Sequence, residues 1–163
     1  YKYRVTVTDP YGETASESLS FMAYPLGING FVDHTPIWKS NWINYNKHQQ
    51  NIGKPVFEND TFFTGEKYVL SATTTKISPD SNVTALNVSV KIIERTYSPV
   101  LLDKQSSNYF TGEMWNEDMR GTRWRGKQAT FLFTVTYSNG TVKTDSVVTN
   151  IIDDDYFRVK MSF

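Results

Sequence analysis

No cysteine occurs among the 163 residues, which removes disulfides, thiolate metal sites and cysteine nucleophiles together. An excess of one charge is lacking too. With 17 Lys and Arg against 17 Asp and Glu, no basic field collects phosphates and no acidic tail extends into solvent. Nucleic acid and anionic membrane surfaces are therefore not expected partners. No apolar run approaches the ~18 residues of a spanning helix, so no membrane insertion is expected, and Tyr1-Lys2-Tyr3-Arg4 does not begin a signal peptide. Only two histidines are present. His34 and His48 come without His-x-x-x-His spacing and without a serine nucleophile motif, so neither a catalytic triad nor a zinc site is expected.

Thr, Ser, Asn and aromatic residues are plentiful instead, and most apolar stretches alternate with period two, the pattern of half-buried strands. The chain reads as mainly β. Tyr1, Tyr3, Val5 and Val7 alternate up to the turn residues Asp9-Pro10-Tyr11-Gly12, and Leu19, Phe21 and Ala23 continue on a second strand. Two strands are not stable alone in water. Residues 1–24 must then pack on the rest of the chain, on another copy, or on a preceding domain. Pro25-Leu26-Gly27-Ile28-Asn29-Gly30 has the breakers of a linker, placing a boundary at 25–30 and a main module at 31–163.

Thr35 followed by Pro36 marks a helix start, and Trp38, Trp42, Tyr45 and Gln49 fall on one face, so the spacing predicts one short helix over about 36–50. Strands are expected over Glu66–Ile77 and Val83–Thr96, the second with Leu86, Val88, Val90 and Ile92 facing inward, and a short edge strand over Pro99–Leu102. Phe131, Phe133, Val135 and Tyr137 lead into Ser138-Asn139-Gly140-Thr141, where Asn-Gly points to a type I′ hairpin turn returning through Val142–Ile152. Alternation resumes at Phe157, Val159, Met161 and Phe163. Short strands with regular turns imply a two-sheet antiparallel sandwich with one inserted helix.

The stretch Tyr3-Arg4-Val5-Thr6-Val7-Thr8-Asp9-Pro10-Tyr11-Gly12 resembles the closing strands of bacterial immunoglobulin-like and PKD-like modules, which occur in tandem. The rest looks like a module of secreted or surface proteins of Gram-positive anaerobes. The residues that carry this are His34-Thr35-Pro36, Trp38, Asn44-Tyr45-Asn46, Phe63-Thr64-Gly65-Glu66-Lys67-Tyr68-Val69-Leu70, Gly112-Glu113-Met114-Trp115, Asp118-Met119 and Tyr137-Ser138-Asn139-Gly140. The resemblance implies an immunoglobulin-like sandwich, extracellular or at the cell surface, within a longer polypeptide whose neighbouring modules are its first partners. It brings no catalytic residue and no ligand. The expected function is a non-catalytic spacer or adhesion module, with a surface protein or polysaccharide as further partner and self-association through the first hairpin as an option.

Four tryptophans support the rival reading, a carbohydrate-binding module, because an exposed indole stacks on the apolar face of a sugar ring. Trp124, between Arg123 and Arg125 in the Gly121–Gly126 loop, is the best platform residue. Trp38 and Trp42 share a helix face with Tyr45 and are expected to pack on a sheet, and Trp115 with Met114 and Met119 reads as a plug over one end. No cofactor is expected. The weak metal candidate is calcium at Asp153, Asp154 and Asp155, which lack an Asp-x-Asp-x-Asp-Gly loop and read better as a solvated turn. A carboxylate-dependent hydrolase, the third class, would draw on Glu113, Glu117 and Asp118. A Lys–Asn isopeptide cross-link would draw on Lys67, Lys91, Lys143, Lys160, Asn87 and Asn150. The glycosylation sequons at Asn59, Asn82, Asn87 and Asn139 are expected from composition alone.

Overall fold

The computed structural model describes residues 2–20, 26–57, 60–63, 65–75, 82–94, 98–115 and 127–152. Within them the alternating stretches form three sheets and the Pro36 segment forms the helix, so the chain is mainly β. The first hairpin, β1 (Lys2–Thr8) and β2 (Thr14–Ser20), is a two-stranded sheet of its own. A four-stranded sheet is ordered β3 (Gly27–His34), β5 (Lys67–Thr75), β9 (Tyr109–Trp115) and β8 (Asp103–Lys104). A five-stranded sheet is ordered β4 (Thr61–Phe63), β11 (Val142–Ile152), β10 (Lys127–Tyr137), β6 (Ala85–Ile92) and β7 (Val100–Leu101). All described pairings are antiparallel except β4 with β11.

The two larger sheets share one core, as the layers of a β-sandwich do. Ile28, Tyr68, Leu70, Ala72 and Phe110 enter it from one sheet, and Val88, Val90, Phe131, Phe133 and Val135 from the other. The layers touch through rings: Tyr68 meets Phe131 edge-on at 5.0 Å, and Gly30 lies so close to Phe133 that a Cβ there would sit 2.3 Å from the ring. Polar links join them at two further points. The Tyr137 hydroxyl reaches the carbonyls of Gly27 (2.7 Å) and Thr75 (2.9 Å), and Asp145 Oδ2 accepts the Gly30 amide proton (2.8 Å). Residues 100–104 stitch the sheets together by passing from β7 to β8, with Leu102 buried at the crossing.

The helix α1 spans Pro36–Asn51 and buries Trp38, Trp42, Tyr45 and Gln49, the face its spacing indicates. Pro36 opens it, and the Thr35 carbonyl accepts the first bond, from the Lys39 amide, while the Thr35 side chain makes no cap bond. A Schellman arrangement closes it, with Gly53 N–H donating to Gln50 O and Lys54 N–H to Gln49 O. A second aromatic cluster, Trp38, Trp42, Tyr45 and Phe63 with Phe57 and Ile152, fixes α1 over β4 and the end of β11.

Four sequence expectations change. Residues 27–30, read as linker, are the first half of β3 and pair with Ala72–Thr75. Leu86, expected inside, is exposed. A bulge where Thr136 faces Asn87 and Tyr137 faces Ala85 leaves Leu86 as the extra residue and turns Ala85 into the core. The Asn139-Gly140 turn is not type I′, because Gly140 alone has positive φ (82°). Gly140 N–H donates to Tyr137 O and Tyr137 N–H to Thr141 O, giving a three-residue loop in which glycine takes the left-handed position. The Asn139 side chain accepts the Thr141 amide instead. Finally, β4, β8 and β9 are strands that the period-two pattern did not mark. The expected strand over Phe157–Phe163 lies outside the described residues.

Candidate functional site

Where β3 runs into α1, one buried carboxylate gathers three elements. Glu66 has no exposed surface. It follows a turn in which its own amide donates to Phe63 O (3.0 Å), with Gly65 at φ 94°, a conformation that side-chain-bearing residues rarely adopt. That turn directs the side chain back under the helix. Oε1 is bonded to His34 Nδ1 at the end of β3, while Oε2 accepts the Trp42 indole N–H (3.1 Å) and the Phe63 amide (3.0 Å). An ionised carboxylate only accepts, so with Glu66 ionised the His34 proton sits at Nδ1. The imidazole stacks on Phe62 at 4.2 Å and lies tilted against Trp42 at 5.7 Å. These contacts fix the orientation of the ring.

Above this group lies a cleft of about 390 Å³ lined by Asp33, His34, Lys39, Trp42, Ile43, Asn46 and Phe57. Asp33 and Lys39 are ion-paired, with both side chains about half exposed, and Asp33 Oδ1 accepts the His34 amide. Asn46 binds the backbone of Phe57 in both directions, donating to its carbonyl (3.1 Å) and accepting from its amide (3.0 Å). The chemistry offered is a carboxylate-held imidazole beside a cleft with one aromatic wall and one pair of opposite charges. A dyad of this kind can orient a base. It also serves as a buried cross-brace between β3, α1 and the β4–β5 turn.

Trp38 and Trp42, named as sugar-platform candidates, are buried, 9% and 6% exposed, against Phe63, Tyr45 and Phe57. Both sit in the aromatic cluster that seats α1 on β4, and Trp42 also lines the cleft. Trp115 ends β9, but its side chain lies outside the described residues, as do Trp124, Glu117, Asp118 and the calcium candidates Asp153, Asp154 and Asp155. No group of three or more His, Asp or Glu side chains able to hold a metal occurs among the described residues. Glu113 is ion-paired with Lys67 across β5 and β9.

Of the cross-link candidates, Asn150 Nδ2 donates to Asp60 (2.9 Å) and its Oδ1 accepts from Gln128 (3.2 Å), while Asn87, Lys91 and Lys143 are exposed. Lys160 is outside the described residues. The sequence reading missed Glu66, which it took for a strand residue. Its signal in the sequence is a carboxylate among Phe62, Phe63 and Tyr68, directly after Gly65.

No protein-family model matches the chain, and no curated protein does. Among solved structures, one similar chain is a superoxide reductase (neelaredoxin) from Ignicoccus hospitalis. The likeness has 6% identity and a TM-score of 0.38, covering 56% of this chain and 74% of that one. At that depth it carries no argument about fold family, metal or activity. No helix among the described residues is long and apolar enough to cross a membrane.

Proposed function

We propose that the chain is a non-catalytic, immunoglobulin-like β-sandwich module of a bacterial extracellular protein, acting as a spacer or adhesion unit. The observation that carries this reading is the first hairpin. β1 and β2 pair only with each other among the described elements, and every described side chain from Arg4 to Ser18 is exposed, including Val5 and Val7 at 64% each. Alternation puts Val5 and Val7 on one face, opposite Glu17 and Ala15, and Arg4 and Thr6 on the other, opposite Ser18 and Ser16. A half-apolar ribbon of two strands needs a third surface. Residues 1–24 are best explained as closing strands of a preceding module, whose sheet covers that face and sets the angle between neighbours.

Two antiparallel-rich layers around one core support the immunoglobulin-like assignment. The platform reading draws no support from Trp38 and Trp42, since both are buried. Deleting residues 1–25 tests the proposal. The melting temperature of the remaining sandwich should stay within about 2 °C, the size of a change under 1 kcal/mol in a domain of this length. A loss of ~10 °C or more would make the hairpin part of this sandwich and remove the basis for a modular neighbour.

A further inference from the structure

We infer that the cleft between the end of β3, α1 and Phe57 is a binding site for a single neutral sugar ring or similar cyclic polyol. This is independent both of the spacer reading and of any exposed-indole platform. Its volume, about 390 Å³, lies within the range of small-ligand sites, roughly 300–1,000 Å³. Ile43 and Phe57, backed by the buried Trp42, give it an apolar wall, and Asp33 with Lys39 gives it opposite charges at the mouth.

The ligand class follows from what those two groups demand. The carboxylate can only accept and the ammonium can only donate, and their charges cancel. A hydroxyl group does both, so vicinal hydroxyls bridge the pair without separating it, while the C–H face of the ring lies on the apolar wall. A charged ligand satisfies one partner and sets itself against the other. The wall is also formed in advance. Trp42 is held by Glu66 (3.1 Å), and Phe57 by the paired bonds to Asn46 (3.1 and 3.0 Å), so little ordering remains for the ligand to bring about.

The test is calorimetric and NMR titration of the whole chain with glucose, galactose, mannose and N-acetylglucosamine. Glucosamine, glucuronate and free leucine serve as charged or zwitterionic comparators. At least one neutral ring should saturate with roughly millimolar affinity. Asp33→Asn and Lys39→Met should each weaken it about tenfold or more, with far-UV dichroism and melting temperature unchanged. Absence of saturation by every neutral ring up to ~50 mM would overturn the inference. Binding undiminished in both variants would place the ligand elsewhere, and saturation by the charged sugars or leucine alone would assign the cleft to another class.

Discussion

Replacing Glu66 with alanine removes the acceptor shared by His34 Nδ1, the Trp42 indole N–H and the Phe63 amide, inside a site with no exposure at Glu66 and 7% at His34. Hydrogen bonds to a charged group contribute about 1.5–3 kcal/mol each, and a buried donor left without its acceptor costs about 1–3 kcal/mol. These are overlapping descriptions of the same contacts, so they do not add. The expected loss is about 3–5 kcal/mol, a large share of the 5–15 kcal/mol available to an ordinary domain. Melting should fall by roughly 6–20 °C at about 2–4 °C per kcal/mol.

The isosteric Glu66→Gln should cost only about 1–2 kcal/mol, since its carbonyl still accepts from Trp42 and Phe63 and its amide can donate to a His34 that has changed tautomer. Urea unfolding followed by both tryptophan fluorescence and far-UV dichroism reads the difference. Trp42→Phe, which keeps the ring and loses the donor, should be strongly non-additive with Glu66→Ala. Should Glu66→Ala cost less than about 1 kcal/mol, the carboxylate is not the brace that joins β3, α1 and the β4–β5 turn.

Other expected outcomes concern the sandwich. Gly30→Ala drives a methyl into the Phe133 ring, which is buried in both layers' contact, and should destabilise by about 1–3 kcal/mol in urea melts. Tyr137→Phe removes the hydroxyl that reaches Gly27 and Thr75 and should cost about 1 kcal/mol at neutral pH. Burial raises the Tyr137 phenol above its ordinary 10.0, so its contribution is complete below pH 10 and is lost as pH rises through the native value. Alkaline melts of Tyr137→Phe should lack that part of the loss. Leu86→Thr should change stability by no more than about 0.5 kcal/mol, whereas Val88→Thr, two residues along and fully buried, should cost about 1–3 kcal/mol.

Local signals were legible in the sequence and distant ones were not. Pro36 after Thr35, and the spacing of Trp38, Trp42, Tyr45 and Gln49, specify both the helix and its buried face because both depend on neighbours one turn apart. Alternation likewise marked β10, whose Phe131, Phe133, Val135 and Tyr137 are all buried. β9 escaped notice because Gly112 stands where an inward side chain would be, its space taken by Leu102 from the crossing segment. The Leu86 bulge depends on the register between β6 and β10, set at residues some fifty positions apart, and no single strand announces it. The brace was hidden for the same reason. His34 and Glu66 are separated by 32 residues, and only the pairing of β3 with β5 brings them together.

Amide hydrogen exchange across the whole chain tests most directly whether the first hairpin belongs to a neighbour and not to this sandwich. Exchange of the β1 and β2 amides should run at least roughly a thousandfold faster than that of β10 and β11, because nothing among the described elements covers the ribbon while the core strands open only on global unfolding. Hairpin amides protected to the same degree as β10 and β11 in the monomer would contradict the modular reading. Residues 1–24 would then be an integral part of this fold.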